Sequence, residues 1–157
     1  MTFKLRGCYL PKFRIGSFLK NNLCCKATER PKGSAMRILV VDDDTGTLNA
    51  LRVSLISAGH EVITAKDSHQ ALSTMKSYIK GLESIDLMVT DFKMPGMNGL
   101  ELIRKVKKEN PKLPVILMTA YGSARIRSQL FELGACKYLE KPFNPETLLA
   151  KINELYA

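Results

Sequence analysis

The sequence contains neither a paired-cysteine motif nor a long apolar run. Its four cysteines form no Cys-x-x-Cys pair and lie well separated from the two histidines, which argues against a zinc site. This cysteine usage fits a reducing compartment, so we expect a cytoplasmic protein. No segment approaches the roughly 18 consecutive apolar residues of a membrane-spanning helix, and we therefore expect no membrane span.

Acidic residues are nearly missing from the N-terminal segment. Residues 1–35 hold eight Lys or Arg against one acid, whereas residues 36–157 hold sixteen against fourteen. For this segment we weigh a transit peptide, a tail that binds a membrane surface or nucleic acid, and a disordered leader or misplaced start. The last interpretation is the simplest, because Met36 directly precedes the first predicted strand. The nearly neutral remainder has the size of one domain, and its charge gives no sign of nucleic-acid binding.

From Met36 onward, short apolar runs alternate with segments of helical spacing. The runs predict strands buried on both faces. They span residues 37–41, 61–65, 85–90, 114–118 and 136–139. Strands and helices that alternate with short connections form right-handed βαβ units around a parallel sheet. The sequence therefore predicts an α/β, flavodoxin-like (βα)5 fold, which is a doubly wound parallel sheet with strand order 2-1-3-4-5.

Capping residues and apolar spacing indicate where the five helices lie. The first helix carries its predicted apolar face on Leu48, Leu51, Leu55 and Ile56 and ends at Gly59. The other four begin at polar capping residues. They run from Asp67, which resembles a capping box with Gln70, to Gly81; from Asn98 to before Pro111; from Ser123 to Leu133; and from Asn144 through Pro145 to Leu155.

The stretch from Leu87 to Gly99 ends an apolar run abruptly in Asp91 and continues into two turn-forming pairs, Pro95-Gly96 and Asn98-Gly99. This pattern is typical of a buried strand that carries one carboxylate to the edge of the sheet, with a loop behind it. Ligands bind at the carboxyl-terminal edge of open parallel sheets. Asp91 is therefore the first candidate for a reactive carboxylate.

Three other strands end in polar side chains at the same predicted edge. These are Asp42 and Asp43 after the first strand, Thr119 after the fourth and Lys141 after the fifth. Asp44 is a further candidate acid of this group, but either Asp44 or Thr45 could instead be the N-cap of the first helix. Each residue alone has a structural explanation as a cap, a turn residue or a solvated lysine. Together with Asp91, however, the carboxylates would repel one another unless a cation lay among them, and such oxygen ligands favour Mg²⁺.

These groups suit the transfer of a phosphoryl group to a carboxylate. An aspartate can attack a phosphorus centre and give an acyl phosphate. The charge that spreads over the phosphoryl oxygens would then be stabilised by Mg²⁺, the Lys141 ammonium and the Thr119 hydroxyl. We therefore predict that Asp91 is phosphorylated.

Residues 36–157 resemble a response-regulator receiver domain of two-component signalling along nearly its whole length. The matching motifs are Val-Val-Asp42-Asp43, Thr90-Asp91-Phe-Lys93-Met-Pro-Gly-Met-Asn-Gly99, Met118-Thr119-Ala120 and Lys141-Pro142-Phe143. The resemblance implies that Asp91 accepts a phosphoryl group from a histidine kinase or a histidine phosphotransfer protein. It also implies a Lys141 that contacts the phosphoryl oxygens and a cis Lys141-Pro142 peptide bond. The implied Mg²⁺ ligands are Asp42, Asp43, Asp91 and the backbone carbonyl of Lys93.

The resemblance further implies a switch. The phosphoryl charge draws in the Thr119 hydroxyl, and an aromatic side chain of the fifth strand, here Tyr138, turns inward. Alternatively, Tyr138 is an ordinary half-exposed aromatic residue of the strand with no role in the switch. The face formed by the fourth helix, the fifth strand and the fifth helix would then signal. Lys93 and Tyr121 match the two positions that tune dephosphorylation, and since neither offers a carboxylate or amide to orient water, we expect a long-lived phosphoryl group.

Two other functions compete with this prediction. A Mg²⁺-dependent phosphatase of the haloacid-dehalogenase type also uses an aspartate nucleophile, which would be Asp42, but Gly46 departs from its motif and the chain has no room for a cap domain. A receiver that binds partners without phosphorylation is disfavoured by the complete acidic set. We expect a stand-alone receiver that controls an unidentified downstream protein or relays phosphate, and that is not an enzyme beyond its own phosphorylation and dephosphorylation. The sequence leaves phosphorylation-dependent dimerisation undecided.

Overall fold

The computed structural model describes residues 34–80, 83–120, 122–134 and 137–156. Five strands and five helices alternate along these residues: β1 (Arg37–Val41), α1 (Thr45–Ser57), β2 (Glu61–Ala65), α2 (Ser68–Lys80), β3 (Leu87–Asp91), α3 (Gly99–Glu109), β4 (Val115–Thr119), α4 (Ala124–Glu132), β5 (Lys137–Glu140) and α5 (Pro145–Leu155). Most of the basic segment 1–35 lies outside the described residues, as do Tyr121 and Cys136. None of the described helices combines the length and the apolar character needed to cross a membrane.

The five strands form one parallel sheet in the order β2-β1-β3-β4-β5, which confirms the predicted flavodoxin-like topology. β3 and β4 are buried along their whole length, and β1 is buried at every residue after Arg37. Continuous apolar runs produce such strands because helices cover both faces of a parallel sheet. The winding direction reverses between β1 and β3, where Val41 lies beside Thr90. Doubly wound folds bind their ligands at this point.

Two hydrophobic cores fill the two faces of the sheet, because successive strand residues point to opposite sides. Leu39 and Val41 belong to the core that α2, α3 and α4 cover, whereas Ile38 and Val40 belong to the core that α1 and α5 cover. Burial of one such side chain contributes roughly 1.5–3 kcal/mol. The two cores thereby fix the strand ends, and with them the polar side chains that follow the strands.

The helices begin at the capping residues that the sequence indicated. Asp44 is the N-cap of α1, and its Oδ2 accepts the backbone N–H of Thr47 at 2.9 Å. Asn98 and Glu101 form a capping box at the start of α3, and Asn144 caps α5. Asp44 therefore has the structural role that the sequence offered as the alternative to a place among the site acids.

The apolar face predicted for α1 was wrong at one position. Ile56 is 47% exposed, whereas Leu48, Leu51 and Leu55 are buried. A helix turns by about 100° per residue, so Ile56 lies well around the helix from the line of the three leucines. It faces solvent as a result.

Some predicted element ends also shift. β3 begins at Leu87 and β4 at Val115, slightly later than predicted; β4 starts after Pro114, which has no backbone N–H to donate to the sheet. β5 extends to Glu140 instead of ending one residue earlier. At α2, Asp67 accepts the backbone N–H of Gln70 at 2.8 Å, as in a capping box, but the Gln70 side chain accepts from the backbone of Lys66 instead of that of Asp67.

Candidate functional site

The carboxyl ends of β1 and β3 bring three carboxylates together. One carboxylate oxygen from each of Asp42, Asp43 and Asp91 lies within 4.8 Å of the other two. Asp42 and Asp91 are 1% and 7% exposed, whereas Asp43 faces solvent. These residues are adjacent because β1 and β3 are neighbours in the sheet. The three residues are referred to below as the acidic cluster.

Lys141 reaches the acidic cluster from the end of β5. Its Nζ lies 2.8 Å from Asp42 Oδ2 and 2.8 Å from Asp91 Oδ1. Its backbone N–H donates to the carbonyl of Thr119 at 2.8 Å, and the Lys141–Pro142 peptide bond is cis, as the resemblance implied. One ammonium therefore joins two buried carboxylates that lie at the ends of different strands.

The acidic cluster has three carboxyl groups, and the one ammonium beside it contacts two of them, Asp42 and Asp91. Burial raises the pKa of Asp91, although the hydrogen bond from Lys141 acts in the opposite direction. Burial also disfavours the charged form of Lys141, but its hydrogen bonds to Asp42 and Asp91 outweigh burial and raise the pKa of the ammonium. Lys141 therefore stays protonated at neutral pH.

The donor atoms of the acidic cluster suit Mg²⁺. Carboxylate oxygens are hard ligands, and proteins bind Mg²⁺ through one or two carboxylates together with water and phosphate oxygens. The cluster contains no histidine or cysteine, the residues that favour zinc. Because Asp43 is exposed, one side of the site is open to solvent. The residues present therefore fit the predicted metal in both ligand type and access.

The turn after β3 holds Asp91 against the start of α3. The backbone N–H of Lys93 donates to Asp91 Oδ2 at 2.9 Å, and the backbone N–H of Gly99 donates to the Phe92 carbonyl at 2.9 Å. A Cβ atom at Gly99 would collide with the backbone carbonyl of Asp91. Glycine is required at this position because the helix and the end of the strand nearly touch. The sequence identified a turn here but contained no sign of this close approach.

Thr119 and Tyr138 lie on the side of the site formed by β4 and β5. Thr119 is buried and directly follows Met118, which is the residue beside Asp91 in the sheet. Tyr138 is half-buried on β5, and the guanidinium of Arg127 lies over its ring. The sequence did not predict the contact with Arg127, because neither residue carries a local signal that pairs α4 with β5.

Comparison with known proteins identifies the family of this chain. A family model described as the response regulator receiver domain matches residues 38–153. This chain belongs to the response regulator receiver family. The matched range contains the acidic cluster, Lys141, Thr119 and Tyr138, so the site lies within the receiver domain of a two-component system.

Individual relatives agree with this assignment. The response regulator protein FleR of Pseudomonas aeruginosa is 36% identical over 115 residues, which are 73% of this chain and 23% of FleR. The response regulator MprA of Mycobacterium avium is 39% identical over 120 residues, which are 76% of this chain and 50% of MprA. The chain thus spans half or less of the length of these two relatives. The structure is similar to that of the chemotaxis protein CheY4 of Vibrio cholerae, with a TM-score of 0.71, 30% identity, and coverage of 78% of this chain and 99% of CheY4.

The receiver structure gives positions to the predicted site residues, while their chemical roles stay predictions. The side chains that lie together are those of Asp42, Asp43, Asp91 and Lys141. The side chain of Lys93, one of the two residues expected to tune dephosphorylation, is exposed, and the other, Tyr121, lies outside the described residues. The carbonyl of Lys93, the expected backbone ligand of Mg²⁺, belongs to the turn that contacts Asp91.

Proposed function

We propose that this receiver accepts a phosphoryl group on Asp91 from the phosphohistidine of a histidine kinase or a histidine phosphotransfer protein. The observation that carries the proposal is the buried Asp91 carboxylate, which lies 2.8 Å from the Lys141 ammonium and beside two further carboxylates. Such a site combines a nucleophile, a fixed cation and oxygen ligands for a metal ion. These are the parts that phosphoryl transfer requires.

Asp91 is the nucleophile of the proposed reaction. One of its carboxylate oxygens attacks phosphorus, and the bond between phosphorus and the imidazole nitrogen of the donor breaks. The electron pair of that bond leaves with the imidazole, which takes up a proton, and Asp91 becomes an acyl phosphate. The N–H of Lys93 orients the carboxylate through its hydrogen bond to Oδ2. The ammonium of Lys141 is close enough to compensate the charge of the transferred group.

Asp42, Asp43, Asp91 and the backbone carbonyl of Lys93 are the groups that we propose to hold Mg²⁺. When bound, the ion compensates the charge of the carboxylates and of the phosphoryl oxygens. Asp42 is well fixed for this role, because its Oδ1 accepts the backbone N–H of Asp44 at 2.9 Å while its Oδ2 contacts the lysine of the site. Asp43 contributes its carboxylate from the solvent side.

We propose that phosphorylation changes the face formed by α4, β5 and α5. The Thr119 hydroxyl would move toward the phosphoryl oxygens, and Tyr138 would turn into the space that Thr119 leaves. The changed face would control a partner protein, or the phosphate would pass to a histidine on another protein. In this proposal the receiver promotes only its own phosphorylation and dephosphorylation and is not an enzyme with a separate substrate.

Labelling with acetyl phosphate tests this proposal. We expect uptake in the presence of Mg²⁺, and uptake lower by roughly 100-fold when the ion is removed or Asp91 becomes asparagine. The matched control is Asp67→Asn, because Asp67 is an exposed cap of α2 that accepts the Gln70 N–H at 2.8 Å, and asparagine caps helices equally well. Parental uptake by Asp91→Asn, or uptake that ignores Mg²⁺, would contradict the proposal.

The same experiment separates the receiver from the phosphatase alternative. The phosphatase would keep its phosphate on Asp42, whereas the receiver keeps it on Asp91. The comparisons with known proteins give the phosphatase no support. Peptide mapping of the labelled protein would identify the residue that carries the phosphate.

A further inference from the structure

One arginine of α4 contacts three places around the switch residues. The guanidinium carbon of Arg127 lies 5.0 Å from the centre of the Tyr138 ring. Its Nη2 donates a hydrogen bond to the carbonyl of Gly122 at 2.9 Å and lies 3.5 Å from Glu140 Oε1. A single side chain therefore connects α4 with β5 and with the loop after β4. These four residues are referred to below as the arginine latch.

Two residues of the arginine latch, Glu140 and Gly122, lie near Thr119 in the sheet or along the chain. Glu140 is the residue that lies beside Thr119 in the sheet, and the backbone N–H of Lys141 donates to the Thr119 carbonyl. Gly122 follows shortly after Thr119 in the chain. A movement of Thr119 toward Asp91 would therefore act on neighbours that Arg127 contacts, namely Gly122 and Glu140.

Gly122 allows Glu140 to take part in the latch. A Cβ atom at Gly122 would overlap the carboxylate of Glu140, so this carboxylate lies directly against the backbone of the loop. Any larger residue at position 122 would push the flexible Glu140 side chain away. The glycine thus lets Arg127, Glu140 and the loop meet in one place.

The contacts of the latch are individually weak, which suits a switch. Both a cation over a partly exposed aromatic ring and an exposed ion pair shift an equilibrium by only a few fold. Arginine serves both contacts at once, because its flat guanidinium stacks on a ring while its N–H groups donate to oxygens at the edge. Contacts of this strength bias two arrangements of similar free energy without locking either of them.

We infer that Arg127 is a positioning residue of the phosphorylation switch. It contacts the Tyr138 ring and Gly122 in this structure, and the movement of Thr119 and Tyr138 proposed above would have to break these contacts. The inference rests on the proposed phosphorylation of Asp91 and adds a residue that regulates it. Arg127 lies outside the acidic cluster and acts through Tyr138 and Thr119.

Removal of the latch should favour the phosphorylated arrangement. We expect Arg127→Ala to take up label from acetyl phosphate about two- to five-fold faster than the parent, because the reactive arrangement becomes more populated. Arg127→Lys keeps the charge and a donor for the Gly122 carbonyl, so its rate should fall between the two. Arg125→Ala is the matched control, since Arg125 is exposed on the same helix and makes no hydrogen bond or ion pair with the rest of the described chain.

A second measurement follows Tyr138 directly. With fluorotyrosine incorporated, the fluorine NMR signal of Tyr138, assigned with Tyr138→Phe, should shift in unphosphorylated Arg127→Ala toward its position in the phosphorylated parent. Arg125→Ala should leave the signal in place. A general loosening of α4 would not move it toward that position.

Two outcomes would overturn the inference: Arg127→Ala leaves both the uptake rate and the Tyr138 signal unchanged, or it slows uptake while the parent is labelled normally. Failure of the proposed phosphorylation would look different. In that case the parent takes up no label, yet the Tyr138 signal still responds to Arg127→Ala.

Discussion

The sheet has an ion cluster at each of two opposite edges, and each cluster contains one basic side chain and two acidic ones. In one cluster the acids are less exposed than the base, and in the other the base is less exposed than the acids. At the carboxyl-terminal edge, Lys141 lies between two carboxylates whose side chains are 1% and 9% exposed. At the amino-terminal edge, Arg37 lies 2.7 Å and 2.9 Å from the carboxylates of Glu61 and Glu83, whose side chains are 55% and 67% exposed. Arg37 itself is only 15% exposed. The acids are the less exposed partners in the first cluster, and the base is the less exposed partner in the second.

The difference in burial decides what each cluster can do. The acids around Arg37 remain hydrated, and the hydrogen bond from Arg37 lowers the pKa of Glu61, so this carboxylate is charged and satisfied. At the other edge, burial raises the pKa of Asp91 in spite of its lysine partner. A bound cation stabilises buried, incompletely compensated acids more than it stabilises hydrated ones, and acids with a shifted pKa are common at functional sites. The cluster of Arg37 therefore supports the fold, whereas the acidic cluster forms a site.

Lys141→Met should produce the largest change in stability. It leaves two buried carboxylates without their ammonium, and we expect the free energy of unfolding to fall by about 2–3 kcal/mol in metal-free buffer. Added Mg²⁺ should restore part of this loss, because an ion that binds only the folded state stabilises it. Urea titrations with and without Mg²⁺ measure both effects.

The matched substitution at the other edge is Arg37→Met. Its acidic partners are mostly in water, so we expect a smaller loss and no response to Mg²⁺. If Lys141→Met were as stable as the parent, the conclusion that burial distinguishes the two edges would be contradicted. It would also be contradicted if the two variants responded equally to Mg²⁺.

Asp43→Asn should raise the free energy of unfolding of the metal-free protein, whereas the two preceding substitutions lower it. The substitution removes one of three mutually repelling carboxylates, so the metal-free protein should gain about 1 kcal/mol of unfolding free energy. The same variant should bind Mg²⁺ more weakly, since it loses a proposed ligand. Thermal unfolding in buffer with a chelator, followed by a magnesium titration, tests both effects. If metal-free Asp43→Asn were less stable than the parent, repulsion among the three carboxylates would not destabilise the metal-free protein.

Glu61→Gln should again lower stability, but only slightly, because Glu61 is an exposed partner of Arg37. The depressed pKa of Glu61 implies that its contribution is complete above the pKa of the unfolded chain and disappears as pH falls through the folded value. The difference between parent and variant should therefore be present near pH 7 and should shrink as the pH falls through the folded pKa of Glu61. A difference that persists in acid would assign the effect to packing instead of charge.

The sequence could predict the acidic cluster because topology alone fixes it. Apolar runs located the strands, their alternation with helices predicted a parallel sheet, and the residues after parallel strands meet at one edge of it. Asp42, Asp91 and Lys141 lie together for this reason. No knowledge of side-chain conformation was needed to place them.

Contacts between elements could not be predicted in this way. The contacts of Arg127 with Tyr138 and Glu140, and of Gly99 with the backbone of Asp91, depend on how α4 and α3 pack against the sheet. Residues of these types are common on helices and in turns, so their local sequence carries no signal for the contact. The exposure of Ile56 is a different case, because the helical period by itself places this residue well around α1 from the three buried leucines.

The smallest expected effect concerns the lifetime of the phosphoryl group. It tests whether the residue at position 93 controls how fast that group is lost. Lys93 is exposed next to Asp91 and carries no group that accepts a proton from water at neutral pH. Lys93→Asn would supply an amide able to orient an attacking water, and we expect loss of label about two- to five-fold faster than in the parent. Lys112→Asn, at an exposed lysine away from the site, is the control. Loss of label from the parent within seconds would contradict the expected long lifetime. Equal rates of loss in Lys93→Asn and the control would mean that position 93 does not control access of water to the phosphoryl group.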